Sequence, residues 1–183
     1  PVRMVVSGAP QLQGADQSER RQHFIQEFDW IRRALMFEPR GHSAMSGSII
    51  YPPSSDDFDM GVIYIETTGS LPMCGHGTIG TATFALERGL VTPKTHGLLR
   101  LETPAGRVDV QYVWEGEKVT SAKLINVPSF LMYRDMEIES PDLGPLKVDI
   151  AYGGNFYPII ERQEHFKDLK DCLLYTSDAA DEG

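Results

Sequence analysis

Apolar residues at Phe24, Phe28, Ile31 and Leu35 recur one or two helical turns apart, with Glu and Arg between them. This spacing predicts one amphipathic helix that Asp16 or Ser18 caps, that runs to about Met36 and that Pro39 stops. Upstream, Arg3 to Val6 reads as a strand with nothing before it to pair or cap. Downstream, Ser48 to Tyr51 and the Val- and Ile-rich run Met60 to Glu66 read as strands, separated by Pro52-Pro53. Gly75 to about Arg88 reads as a helix closed by Gly89, with Pro93 beyond. Its residues are unusually small: Gly77, Thr78, Gly80, Thr81, Ala82 and Ala85. Such a helix forms poorly alone, so it is expected to be held by close packing against surrounding strands.

After Gly89 the pattern changes to period two. Leu98 to Glu102, the turn Pro104-Ala105-Gly106 and Arg107 to Trp114 predict a hairpin, with Val108, Val110, Tyr112 and Trp114 alternating. Glu115-Gly116 turns into a strand from Lys118 to Val127, and strands at Leu146 to Ala151 and Tyr157 to Ile160 flank Gly153-Gly154-Asn155. The fold class predicted is α+β: antiparallel strands around a short, glycine-rich central helix. Cys172 to Glu182 shows neither period, and it resembles the conceptual translation of a transposase-type sequencing adapter. Residues 172–183 are therefore expected to be an artefactual tail, the alternative being an ordinary disordered acidic one.

Composition narrows the function classes. The 183 residues fit about one domain with a sizeable core. Seventeen basic and 26 acidic residues give a net charge of −9. The basic cluster Arg20-Arg21 with Arg32-Arg33 is interrupted by acids, which argues against nucleic acid as a partner. No run of 18 apolar residues predicts a membrane span. No secretory leader opens the sequence, which begins at Pro1 rather than Met, and the two cysteines, Cys74 and Cys172, fit a reducing compartment. A cytoplasmic location is the expectation.

Pro72-Met73-Cys74-Gly75-His76-Gly77-Thr78-Ile79-Gly80 carries the candidate chemistry. It places a thiol at a helix start, where unpaired amides bind a carboxylate and favour a thiolate. Lowering a cysteine from about 8.5 to about 7 takes about 2 kcal/mol and raises the thiolate fraction at neutral pH to about half. One segment could then hold an acid's carboxylate and place a base beside its Cα. Against this stand several plainer readings. Cys74 could be a small buried hydrophobe, and His76 a helix-start residue bonded to a loop. Gly75-x-Gly77-x-x-Gly80 also satisfies a dinucleotide fingerprint, with Glu102 as its acid, but Pro72 and the nine residues between Ile65 and Gly75 spoil the tight turn that motif needs. Cys74 and His76 alone make a poor metal site, and none is expected. A Cys/His hydrolase would need a histidine near the thiol, for which His42 stays open. His23, His96 and His165 read as surface residues.

The sequence resembles the proline racemase family, and within it the 4-hydroxyproline 2-epimerases. Phe37-Glu38-Pro39-Arg40-Gly41-His42, Met45-Ser46-Gly47-Ser48, Leu71 to Gly80, Leu101 to Gly106 and Tyr152 to Tyr157 all stand in family order, and the resemblance runs from about Arg3 to about Lys170. It implies a diaminopimelate-epimerase-like fold of two similar halves, each a curved sheet wrapped round a helix. Residues 1–171 would be the N-terminal half, without its first strand. The resemblance further implies that Cys74 is one of two catalytic thiols and that Gly75 and His76 contact a small amino acid substrate. It implies epimerisation at Cα of 4-hydroxyproline without a cofactor, and a fragment inactive alone. A proline racemase, a trans-3-hydroxyproline dehydratase or a non-catalytic racemase-like binding domain are the alternatives. The second catalytic position, where a cysteine would imply an isomerase and a threonine a dehydratase, is not in this sequence, and the oligomeric state is not legible from it.

Overall fold

The computed structural model describes residues 2–164 and 166. Cys172, His165 and the adapter-like tail lie outside the described residues. The chain divides into two compact units, the first ending at Pro128 and the second beginning at Ser129.

Unit one holds β1 (Val2–Val5), α1 (Gln17–Glu27), α2 (Asp29–Met36), β2 (Ser46–Tyr51), β3 (Met60–Glu66), β4 (Ser70–Leu71), α3 (Gly75–Glu87), β5 (Leu98–Thr103), β6 (Gly106–Glu115) and β7 (Lys118–Ile125). They form one sheet in the order β1-β2-β3-β5-β6-β7, with β4 paired to β3. The pairings are antiparallel except β1 with β2 and β3 with β5. α3 touches both β1 and β7, the two ends of that order. Six strands laid flat at about 4.8 Å spacing would be too wide for a helix about 10 Å across to touch both ends. The sheet is therefore curled around α3, and the α+β reading holds.

Period two along β3 sorts the two faces. Ile63 and Ile65 join Phe24, Met36 and Ile49 in a core under α1 and α2. Tyr64 and Glu66 face α3. The small residues of α3 permit its close approach. A Cβ on Gly80 would sit 3.6 Å from Val2 and one on Gly75 3.8 Å from Leu124. Ser48 and Thr81 hydroxyls meet at 2.6 Å inside the contact. α3 ends in a full Schellman motif, with Gly89 N–H donating to Leu86, Leu90 N–H to Ala85, and Gly89 at φ 63°.

The single helix predicted over 16–36 is two. Asp16 caps α1 by accepting from Glu19 N–H at 2.9 Å. Phe28 breaks the run at φ −126°, ψ 13°. Asp29, acidic and in the first turn of α2, restarts the helix and chelates Arg32 at 2.6 and 2.9 Å. Arg3 of β1 donates to the carbonyl of Leu35 in the last turn of α2 and to that of Arg40 in the loop beyond it.

Glu102, buried at the end of β5, accepts from Ser54 N–H at 2.7 Å, Ser54 Oγ at 2.5 Å and Gln17 N–H at 3.2 Å. This carboxylate is consumed in tying α1 to the sheet, so it is not the acid of a dinucleotide site. Glu102→Ala leaves the buried Gln17 amide unpaired and frees the Ser54 loop, and the expected cost is about 2 kcal/mol. The midpoint of urea unfolding checks it.

Unit two holds β8 (Phe130–Ser140), β9 (Gly144–Tyr152) and β10 (Phe156–Ile159) in an antiparallel sheet ordered β10-β9-β8. Phe130 stacks on Tyr152 with centroids 5.2 Å apart, and Phe156 meets Tyr152 tilted, at 5.0 Å. β8 was not expected from the pattern. Among the described residues, no helix is long and apolar enough to cross a membrane.

Candidate active site

The site is built where β3 ends and α3 begins. Glu66 is the last residue of β3. The chain turns at Gly69, whose carbonyl accepts from Glu66 N–H at 2.7 Å, and returns through β4. Ser70 Oγ donates to Tyr64 O at 2.8 Å, and Arg21 Nε donates to Ser70 O at 2.9 Å. Ala105 N–H, in the β5–β6 turn, donates to Pro72 O at 3.1 Å. The segment leading into α3 is thereby pinned at Ser70 and at Pro72.

Cys74 is the N-cap of α3, at φ −138°, ψ 111°. Its carbonyl accepts from both Thr78 N–H and Thr78 Oγ1, each at 2.8 Å. Because the Thr78 hydroxyl is donating there, Tyr64 OH donates to it, at 2.5 Å. The relay from Tyr64 through Thr78 to the Cys74 carbonyl locks the first turn against β3. Gly75 and His76 follow as the first helical residues, with no carbonyl four residues back inside the helix for their N–H groups.

Cys74 is 7% exposed, yet its sulfur is not in an apolar pocket. Sγ donates toward Glu66 Oε1 at 3.6 Å and lies 3.7 Å from His76 Nδ1. Glu66 Oε1 also accepts from Ser46 Oγ at 3.1 Å. Arg32 Nη1 donates to the carbonyls of Glu66 at 2.9 Å and Thr67 at 2.8 Å, fixing the end of the strand.

The thiolate expected from a helix N-terminus is overturned. Burial pushes the thiol up to about 11, and the Glu66 carboxylate adds to that, while only the Gly77 amide pulls the other way. The dipole argument fails because it omits desolvation and a carboxylate eight residues away in sequence. Cys74 is thus held as a thiol with acid/base neighbours on two sides.

Alkaline stability follows from these shifts. Burial also raises Tyr51, to about 12, and Tyr64 further. All three groups hold protons more tightly folded than unfolded. Their contribution is therefore complete below about pH 9 and lost as pH rises to about 12. The melting temperature should fall steeply over that window. Tyr51→Phe, which removes a buried hydroxyl lacking a partner, should flatten part of the fall without lowering the neutral-pH value.

The candidate residues Cys74, Gly75 and His76 are brought together. His42 is not: it is exposed, and its Nδ1 accepts from Ala44 N–H in its own loop at 3.2 Å. His23, expected on the surface, is half-buried, accepting from Gln13 N–H and meeting Phe28 edge-on. His96 is exposed beside Tyr112. Glu66 was missed. The signal for it was an acid ending an otherwise buried apolar strand, one short turn before the cysteine. α3 does lie between parallel-paired strands, since β3 and β5 pair over two residues, but that pairing is at Met60 and Gly61, the far end of β3 from the helix start. Among the described residues, no three His, Cys, Asp or Glu side chains gather so as to hold a metal ion.

The proline racemase family model matches residues 1–175, and the chain belongs to that family. It is 59% identical over 171 residues to the 4-hydroxyproline epimerase of Brucella ovis and to the 4-hydroxyproline 2-epimerase of Brucella suis biovar 1. The alignment covers 93% of this chain and 51% of each relative, so the chain spans about half their length. Among solved structures it is similar to a hydroxyproline epimerase from Agrobacterium vitis with bound trans-4-hydroxy-L-proline, at TM-score 0.79 and 25% identity. That match covers 87% of this chain and 48% of the other. A probable proline racemase from Agrobacterium radiobacter with bound carbonate is equally similar in fold, at TM-score 0.79, 27% identity and the same coverage.

Proposed function

We propose that residues 1–171 are the N-terminal half of a two-domain epimerase that inverts Cα of 4-hydroxyproline, and that Cys74 is one of its two acid/base thiols. The observation that carries this is the sulfur itself, set at the start of α3 with Glu66 3.6 Å and His76 3.7 Å away. The 59% identity to 4-hydroxyproline epimerases supports the substrate class.

In this reading the Gly75 and His76 amides receive the substrate carboxylate, helped by the positive end of the helix. They stabilise it as it gains enediolate character when the Cα proton leaves. Cys74, held as a thiol, delivers a proton to one face of Cα while a thiolate from the other half removes the proton on the opposite face. In the reverse direction the sulfur of Cys74 takes the proton. Amides and thiols suffice for these steps, so the reading calls on no metal, pyridoxal or flavin.

A second reading, proline as substrate, is favoured by the equal likeness to the probable proline racemase. The test is to join this chain to the C-terminal half of the Brucella relative. Its action on trans-4-hydroxy-L-proline, L-proline and trans-3-hydroxy-L-proline is then followed in D2O by proton NMR. Deuterium at Cα with inversion of the first substrate is expected. Preferential turnover of proline would move the assignment to a racemase, loss of water from 3-hydroxyproline to a dehydratase, and binding without exchange to a non-catalytic domain. The 183-residue chain alone, with one thiol of the pair, should give no inversion; measurable inversion by it would refute the half-enzyme reading.

A further inference from the structure

We propose that Glu66 is a positioning residue for Cys74: its carboxylate accepts the S–H and fixes where the sulfur and its proton sit above the first turn of α3. The inference rests on the reading of Cys74 as an acid/base group. Three contacts converge on it. Oε1 lies 3.6 Å from Sγ, so the two groups are in hydrogen-bond range for sulfur. The same oxygen is held by Ser46 Oγ at 3.1 Å, from the neighbouring strand β2. The backbone carrying it is clamped by Arg32, whose guanidinium is itself buried and bonded to the Glu66 and Thr67 carbonyls.

That construction is more than a surface acid needs. Glu66 ends a strand whose other six residues are all buried, and it turns toward α3 rather than away. The charged and titratable groups around the thiol are Glu66 and Tyr64 from β3, His76 from α3 and, through the main chain, Arg32 from α2. β2 contributes Ser46, whose hydroxyl donates to the same Glu66 oxygen. Of these, Glu66 is the anion, so it makes the thiol the favoured state and gives the S–H a direction. His76 Nδ1, 3.7 Å from the sulfur on the exposed side, is left as the second group through which a proton can pass.

The test needs no turnover. In a Cys172→Ser background the single remaining cysteine is labelled with 13C at Cβ, and its chemical shift is followed from pH 7 to 11 by NMR. Glu66→Gln, nearly isosteric, should loosen the proton about tenfold, so that at pH 9.5 the thiolate is about tenfold more populated than in the parent. Glu66→Asp keeps the charge but withdraws it by one methylene, and should fall between the two. Titrations of both variants superimposable on the parent's would overturn the proposal, because burial alone would then be holding the proton. Should the Gln variant not fold, the Asp variant decides by the same comparison. The outcome is separable from that of the proposed function. In the joined protein, Cys74→Ala tests whether the sulfur is needed for exchange at Cα, whatever Glu66 does to its titration. There Glu66→Gln should change the pH dependence of kcat with little change in KM.

Discussion

Cys74→Ala, made in this chain joined to a C-terminal half, should lower kcat for inversion of trans-4-hydroxy-L-proline by about three orders of magnitude and leave KM within a few-fold. Removing a positioned acid/base group costs about 10²–10⁴ in rate. The substrate carboxylate, held by the Gly75 and His76 amides in the proposed complex, does not depend on the sulfur. A more specific signature separates a two-base site from a one-base site. With Cys74 gone, the remaining base reaches only one face of Cα, so deuterium should still wash into one epimer, slowly, and not into the other. Cys74→Ser should behave alike, because an alcohol neither releases nor takes a proton near neutral pH. Steady-state rates on both epimers, with circular dichroism to verify folding, make the measurement. Near-parent inversion in either variant would remove Cys74 from the mechanism.

How far the sequence was legible depends on which physical term each feature turned on. β3, the β5–β6 hairpin and α3 were readable because local period and chain-end signals determine them. Gly89 past the end of α3 makes the Schellman cap its position implies, and the small residues of α3 do serve close packing against strands. β8 was not readable because its pairing with β9 slips twice, between Leu131 and Tyr133 and between Tyr133 and Met136. Asp135, at φ 50°, lies between them. A bulged strand loses the alternation on which strand reading depends. The break at Phe28 was hidden because the apolar spacing continues across it. At the site, position was legible and electrostatics was not. The sequence places Cys74 at a helix start, and that part is local. The burial of the sulfur and the arrival of Glu66 beside it come from the turn through Gly69 and β4, a tertiary event. Those two effects outweigh the helix-end amide that local reasoning relied on.

Gly77→Ala tests whether the sulfur's place, and not merely its presence, matters. The glycine is not required by backbone conformation, since it sits inside α3, where alanine is favoured by about 1 kcal/mol. It is required by space. A Cβ there would lie 2.9 Å from Cys74 Sγ, 3.3 Å from Cys74 Cβ and 3.4 Å from Tyr64 Cδ1. Tyr64 cannot retreat, because its hydroxyl is committed to Thr78 and its ring is fully buried. The cysteine side chain, one atom beyond Cβ, is the part free to turn, and turning carries it away from Glu66 and His76. Helix propensity and steric crowding therefore oppose each other in stability but not in function. The melting temperature should move by only a few degrees, while inversion by the joined protein should fall about 100-fold, as expected when a reacting group is displaced by about 1 Å. Gly80→Ala is the matched control on the same helix. Its Cβ would meet Val2 at 3.6 and 3.7 Å, an ordinary contact, so it should keep activity and gain a little stability. Equal losses in the two variants would mean that α3 tolerates no added methyl anywhere. Full activity in Gly77→Ala would mean that the thiol works from more than one position, and either result would undo the claim that α3 is built small at Gly77 for the sake of the sulfur.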